Sequence, residues 1–147
     1  MLVTQMLNAK NQTADSITCI ESTATIADAC ALLSVRRIGA LVVSEDGRKM
    51  TGMISERDIV RELGSRGAQV LEAKVAELMT TTVETCRTGD DAMEVLDRMT
   101  RGRFRHLPVV DENGDMIGLV SIGDAVAGRL GELKAEAEAL TGMIMGA

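Results

Sequence analysis

Apolar residues recur along this chain with two different rhythms. Between 26 and 33 they are Ile26, Ala29, Cys30 and Leu33; between 92 and 99 they are Ala92, Val95, Leu96 and Met99. Both sets follow i, i+3, i+4, i+7 spacing, which is one face of a helix. Thr25 can cap the first helix, with Asp28 three residues on, and Asp91 and Glu94 sit equivalently before the second. Extended pieces precede these helices at 17–20 and 83–86. Two strands follow each helix, GALVV at 39–43 with KMTGMIS at 49–55, and HLPVV at 106–110 with DMIGLVS at 115–121. The turn residues EDG and DENG join them, as in hairpins. A further helix begins directly after Ser55 and after Ser121.

These elements are one pattern written twice. Shifted by 66 residues, 17–60 aligns with 83–126 without a gap. The identical pairs are Arg37/Arg103, Leu41/Leu107, Val43/Val109, Met50/Met116, Gly52/Gly118, Ser55/Ser121, Asp58/Asp124 and Val60/Val126. Other pairs keep their apolar character, such as Ile17 with Val83 and Ile54 with Val120. Each copy reads β-α-β-β-α and leaves a sheet face bare, so two copies together are expected. Residues 68–80 are expected to form a helical linker into the second copy, and residues 3–9 a shorter N-terminal counterpart. After Ser121 the helical pattern runs to about 145, with Leu130, Leu133, Ala137, Leu140 and Ile144 at 3-4-3-4 spacing. Such a seam packs either on its own domain or on another subunit. Gly128, Gly131 and Gly142 argue against a long free coiled coil.

The candidate chemistry lies where the second strand of each copy meets its helix. Gly52-Met53-Ile54-Ser55-Glu56-Arg57-Asp58 and Gly118-Leu119-Val120-Ser121-Ile122-Gly123-Asp124 occupy equivalent places. Ser is the expected N-cap and Asp lies at the third helical position. Ser-x-x-Asp before an apolar run is a capping box, which needs no ligand. A helix N-terminus also offers free N–H groups and the positive end of the helix dipole. A carboxylate there can accept both hydroxyls of a ribose, as in dinucleotide folds. The two readings are compatible, and repetition in the same register favours the second.

Composition removes several function classes. Hydrophobic residues are 46% of the chain, so a core can form. Phe104 is the lone aromatic residue, which leaves no platform for stacking single-stranded bases. Sixteen basic against 22 acidic residues give a net charge of −6, against nucleic acid as a partner. Cys19, Cys30 and Cys86 form no C-x-x-C, and His106 is the only histidine, so no metal site is expected; free thiols fit a cytoplasmic location. The N-terminus lacks the pattern of a secretory signal, and no apolar run is long enough to span a membrane. There is no G-x-S-x-G, no P-loop and no acid–base pair, so no enzyme is expected.

The pattern G-h-x-S-x-x-D closing a β-α-β-β-α repeat resembles the CBS (cystathionine-β-synthase) domain family. The segments IGALVVSEDG, GMISERDIVREL, RGRFRHLPVVDENG and GLVSIGDAV are similar to stand-alone bacterial two-CBS proteins. The resemblance implies an α/β (α+β) module over 1–147, with CBS repeats at 10–66 and 74–132 about a pseudo-two-fold axis. N-terminal and C-terminal helical segments flank them, the latter at 133–147. It implies clefts between the repeats for AMP, ADP, ATP or NAD(H), no catalytic cofactor, and a homodimer. The role implied is regulatory signal transduction or energy sensing through an unknown target protein. Residue by residue, Asp58 and Asp124 match ribose-binding aspartates, and Ser55 and Ser121 match the Ser/Thr near ribose or phosphate. Ile17, Ile54, Val83 and Val120 match the adenine pocket, where the family uses backbone more than side chains. Arg57, Arg103, Arg105 and His106 are the expected phosphate-binding charges. They are distributed unequally, since Arg57 aligns with Gly123 and Arg105 and His106 align with Gly39 and Ala40. The alternative is a ligand-free interaction or scaffold module whose Ser-x-x-Asp pairs are only caps.

Overall fold

The computed structural model describes residues 1–146. Its elements run α1 (Val3–Ala9), β1 (Cys19–Ile20), α2 (Ile26–Arg36), β2 (Ala40–Val43), β3 (Gly52–Ser55), α3 (Glu56–Arg66), α4 (Val75–Leu78), α5 (Ala92–Gly102), β4 (His106–Val110), β5 (Met116–Ser121) and α6 (Ile122–Met145). Helices α2 and α5 start where the capping residues place them. Thr25 and Asp28 exchange hydrogen bonds in a full capping box, whereas Asp91 caps α5 alone by accepting from the amide of Met93. In β1–β2–β3, β1 is parallel to β2 and β2 antiparallel to β3, with Leu41 opposite Ile54. The second copy pairs β4 with β5, but its opening stretch 83–86 forms no strand and contributes one parallel bridge, Cys86 to Val109.

The described residues fall into two compact units. One comprises 14–84 with 112–116; the other comprises 1–13, 85–111 and the chain from 117 onward. The first is built around Ile20, Ile26, Ala29, Leu33, Leu41, Val43, Ile54, Ile59 and Val75. The second is built around Val3, Met6, Leu7, Val95, Met99, Leu107, Val109 and Val120, with smaller residues filling between. Each buried aliphatic side chain of this size contributes about 1.5–3 kcal/mol.

Each unit takes in the segment that precedes the other copy. Ahead of the second copy, Ala73 accepts from the amide of Ile26, and Val75 donates to the carbonyl of Ala24. Ahead of the first copy, Val3 donates to Asp90 and Met1 accepts from Ala92. These pairings change the expectation for 68–80. In place of one helix there is a 3-10 turn at Ala68–Glu72, an extended Ala73–Lys74 that bridges to Thr25, and the single turn of α4. The backbone cannot be helical and pair with the start of α2 at once.

Helix α6 has the length expected, and its seam does not pack on its own unit: Leu130, Leu133, Leu140 and Ile144 are all exposed. Among the described residues no helix is long and apolar enough to cross a membrane.

The tip of the second hairpin belongs to the first unit through charge. Arg48 Nη2 lies 2.9 Å from Asp115 Oδ2, and Lys49 Nζ lies 2.7 Å from Oδ1. Hydrogen bonds from Lys49 and then Arg48 hold the Asp115 carboxyl below its ordinary pKa. A carboxyl that is more acidic folded than unfolded contributes stability above its unfolded pKa of about 3.9, and that stability is lost as the pH falls through the lowered value. Asp115→Asn is therefore expected to flatten the fall in stability below about pH 4. Urea unfolding across that range checks this; a fall as steep as in the wild type would contradict it.

Candidate functional site

Both Ser-x-x-Asp sequences form the same strand-to-helix corner. Ser55 ends β3 in extended geometry and Ser121 ends β5 likewise, so the chain turns into α3 and α6 at these residues. Asp58 donates its amide to Ser55 Oγ at 3.3 Å, and its Oδ2 accepts from the Ser55 amide at 2.9 Å and the Ser55 hydroxyl at 3.0 Å. Asp124 donates its amide to Ser121 Oγ at 3.1 Å, and its Oδ2 accepts from the Ser121 amide at 2.8 Å. The first helical amide is also satisfied in both copies, Glu56 donating to Gly39 and Ile122 to Arg105. The second helical amides, those of Arg57 and Gly123, are the first-turn donors left outside these contacts. Each carboxylate keeps Oδ1 outside the box, with the aspartate side chains 20% and 19% exposed. A helix N-terminus favours both the carboxylates and an oxygen-rich ligand.

The glycine three residues before Ser in each copy has a steric cause. A Cβ at Gly52 would lie 2.8 Å from the carbonyl oxygen of Thr80 and 2.9 Å from Met79 Sδ; at Gly118 it would lie 2.6 Å from Leu7 Cδ2. In each unit the exchanged segment presses on the strand at this point. The glycines therefore answer to packing, and the pattern G-h-x-S-x-x-D combines a packing requirement with a candidate site.

The remaining sequence candidates divide between the units. Ile17, Ile54, Ser55, Arg57, Asp58 and Val83 lie in the first; Arg103, Arg105, His106, Val120, Ser121 and Asp124 lie in the second. Ile54 and Val120 are fully buried in the two cores, so only their backbone can meet a ligand. Ile17 is buried and Val83 partly exposed. Arg57, Arg103 and Arg105 are exposed, and His106 opens β4 half-buried. Arg103 has a place in the backbone. It closes α5 in the left-handed region at φ 59°, and its amide donates to Met99; Arg37 closes α2 in the same way at φ 55°. Among the described residues no cluster of His, Cys, Asp and Glu could hold a metal ion. Burial pushes the Cys86 thiol up to about 12, which leaves it protonated and inert.

Sequence reasoning missed the partners of the strand that leads into each corner. Met53 exchanges backbone hydrogen bonds with Thr80, at 2.9 and 2.8 Å. Its counterpart Leu119 meets side chains instead. Gln12 Oε1 accepts from the Leu119 amide at 2.7 Å, and Lys10 Nζ donates to the Leu119 carbonyl at 3.1 Å and to Asp124 Oδ2 at 2.8 Å. The repeat could not signal these residues, because Lys10 and Gln12 align with Ala76 and Leu78.

Two family-model matches to the CBS domain cover residues 13–65 and 75–130. The mitochondrial CBS domain-containing protein CBSX3 of Arabidopsis thaliana is 34% identical over 83% of this chain and 61% of its own length. The protein YhcV of Bacillus subtilis is 26% identical over 85% of this chain and 87% of its own. The first curated relatives, also from Arabidopsis thaliana, are larger: the chain spans about a fifth of their length. Among solved structures, a CBS-domain containing protein of Agrobacterium tumefaciens is 33% identical with a TM-score of 0.81, covering 88% of this chain and 99% of that one. A CBS domain protein of Pyrobaculum aerophilum complexed with AMP is 25% identical with a TM-score of 0.73, covering 84% and 89%.

Packing at the corner can be separated from ordinary helix propensity. Gly52→Ala is expected to destabilise the protein by about 1–3 kcal/mol through overpacking against the Thr80 backbone. Gly64→Ala, where nothing lies within 4 Å of the new methyl, is expected to stabilise α3 by up to about 1 kcal/mol. Chemical denaturation of the two variants checks the pair, and equal effects would refute the steric account.

Proposed function

We propose, from the premise that the chain belongs to the CBS domain family, that it is a regulatory module whose two Ser–Asp corners bind adenosine-containing nucleotides. The observation that carries this reading is the aspartate at each corner. It is tied into the capping box through Oδ2, which fixes its direction, while Oδ1 stays outside the box. A carboxylate held in this way can accept the two hydroxyls of a ribose without reorganising. Ser55 and Ser121 position the carboxylates, and the backbone at Ile17, Ile54, Val83 and Val120 serves the adenine. Arg57, Arg103, Arg105 and His106 supply charge for phosphate. The binding of AMP by the relative from Pyrobaculum aerophilum supports an adenosine ligand. AMP, ADP, ATP and NAD(H) share the adenosine that these groups address.

In this reading the module is cytoplasmic and acts on a target protein by shifting between states of different nucleotide affinity. It works as a homodimer, in which a second copy covers the apolar seam of α6. That helix leaves Leu133, Leu140, Met143 and Ile144 exposed, and an isolated helical stretch of this length is marginal in water.

One observation favours a second reading, in which the boxes are caps and the chain is a ligand-free scaffold. Thr25 and Asp28 build the same reciprocal box, at 3.1 Å in both directions, at the start of α2. The box alone is therefore no mark of a ligand. Thermal unfolding with AMP, ADP, ATP, NAD+ or NADH separates the readings. A ligand at about one hundred times its Kd stabilises the native state by about 2.7 kcal/mol. A rise in Tm with at least one of them, absent in Asp58→Ala/Asp124→Ala, is expected; no rise with any at millimolar concentration leaves the scaffold.

A further inference from the structure

The two corners share a design and differ in what already sits on the carboxylate. At Asp58 the nearest cation is Arg61, with Nη2 at 3.7 Å from Oδ1 and a side chain 71% exposed. That is a solvated neighbour in loose contact, of the kind that contributes little. At Asp124 the cation is Lys10, whose ammonium lies 2.8 Å from Oδ2, with the side chain 33% exposed against 71% for Arg61. A second bond, to the Leu119 carbonyl, fixes it. Lys10 stands at the C-terminal end of α1, whose Val3, Met6 and Leu7 are buried in the core of the same unit. The following residues are held as well: Asn11 adopts a left-handed turn at φ 53°, and Gln12 grips the Leu119 amide. Lysine Nζ is thus delivered to Asp124 by a folded segment, with both backbone groups of Leu119 as its mount. In the first copy the same strand position is paired by the Thr80 backbone, which brings no charge to Asp58.

We propose that Lys10 is an internal competitor for the Asp124 carboxylate. Nucleotide then fills the Asp58 corner first, and fills the Asp124 corner as Lys10 gives way. The proposal rests on the reading of the corners as ribose sites and adds an order of filling to it. Lys10 holds Oδ2, the oxygen already shared with the capping box, so a ribose at Asp124 is left Oδ1 alone, on a carboxylate whose charge a bonded ammonium compensates; engaging both oxygens with the two hydroxyls requires Lys10 to leave Oδ2. Filling the second corner also loosens the hold of the Lys10–Gln12 segment on β5. Occupancy at Asp124 is thereby linked to the seating of α1, which gives the module two responses to rising nucleotide concentration.

The test uses AMP as the probe. Titration calorimetry is run on the wild type, on Asp58→Ala, and on Asp58→Ala/Lys10→Met, which keeps the side-chain stem and removes the charge. The Met variant is expected to bind AMP about tenfold more tightly than Asp58→Ala, or to restore binding where Asp58→Ala shows none. In parallel, acetic anhydride labelling of Lys10 in Asp58→Ala protein is expected to rise severalfold on AMP saturation, with exposed Lys134 as internal reference. This second readout leaves Lys10 intact, so it does not depend on how the Lys10 variant folds. Equal or weaker binding by the Met variant, or Lys10 labelling unchanged with AMP bound, overturns the competitor while leaving the ribose reading in place. A flat isotherm for the wild type with AMP and, in turn, with ADP, ATP, NAD+ and NADH overturns both.

Discussion

The structure turns on one constraint: a strand that ends in the core must hand over to a helix without stranding the first helical amides. A helix leaves its first four N–H groups without intrahelical partners. Here the strand and helix solve the problem between them. The amide of the first helical residue goes to the carbonyl of residue 39 or 105, and that of the third goes to the serine hydroxyl. The aspartate returns a carboxylate oxygen to the serine amide. Once this corner is closed, the aspartate is held through Oδ2 with its side chain partly exposed, and the second helical amide lies outside the box. A stable corner and a fixed, partly exposed carboxylate are consequences of the same bonds. That is why the capping and ligand readings of Ser-x-x-Asp do not exclude each other.

The second organising feature is the exchange of leading segments. Each copy of the repeat is completed by the chain that precedes the other copy, through backbone pairs at Ala73–Val75 and at Met1–Val3. The two completions differ chemically. Thr80 pairs with Met53 as a strand would, while Lys10 and Gln12 pair with Leu119 through side chains. The corners inherit that difference. A near-symmetric repeat thereby carries two unlike carboxylates, one with a solvated arginine nearby and one bonded to a lysine.

Much of this was legible in the sequence because it depends on local spacing. The helix faces of α2 and α5, the hairpin strands and the serine caps each need only a few neighbouring residues. The mixed α/β class and the CBS resemblance followed from their repetition. The chain between the copies was less legible. Residues 68–80 have the apolar spacing of a helix, yet Ala73 and Lys74 are extended because they pair with Ile26 and Thr25, far back in the chain. Distance in sequence hid Lys10 as well: its partner Asp124 lies 114 residues on, and nothing at the aligned position in the other copy resembles it. The stripe on α6 was read correctly as apolar, but its spacing could not say whether core or solvent faces it. Ile54 and Val120 show the opposite limit. They were chosen as pocket residues by resemblance, and their side chains fill the cores, so any contact with a ligand falls to the backbone.

The order of filling and the regulatory role both rest on the box-bound aspartates being ribose acceptors. A crystal structure of the protein grown with AMP tests it directly. The expected result is density for AMP with a ribose hydroxyl within hydrogen-bond distance of an Asp58 carboxylate oxygen and the Ser55–Asp58 box intact. AMP bound away from both corners, with Asp58 and Asp124 engaged as they are in the free protein, would contradict it.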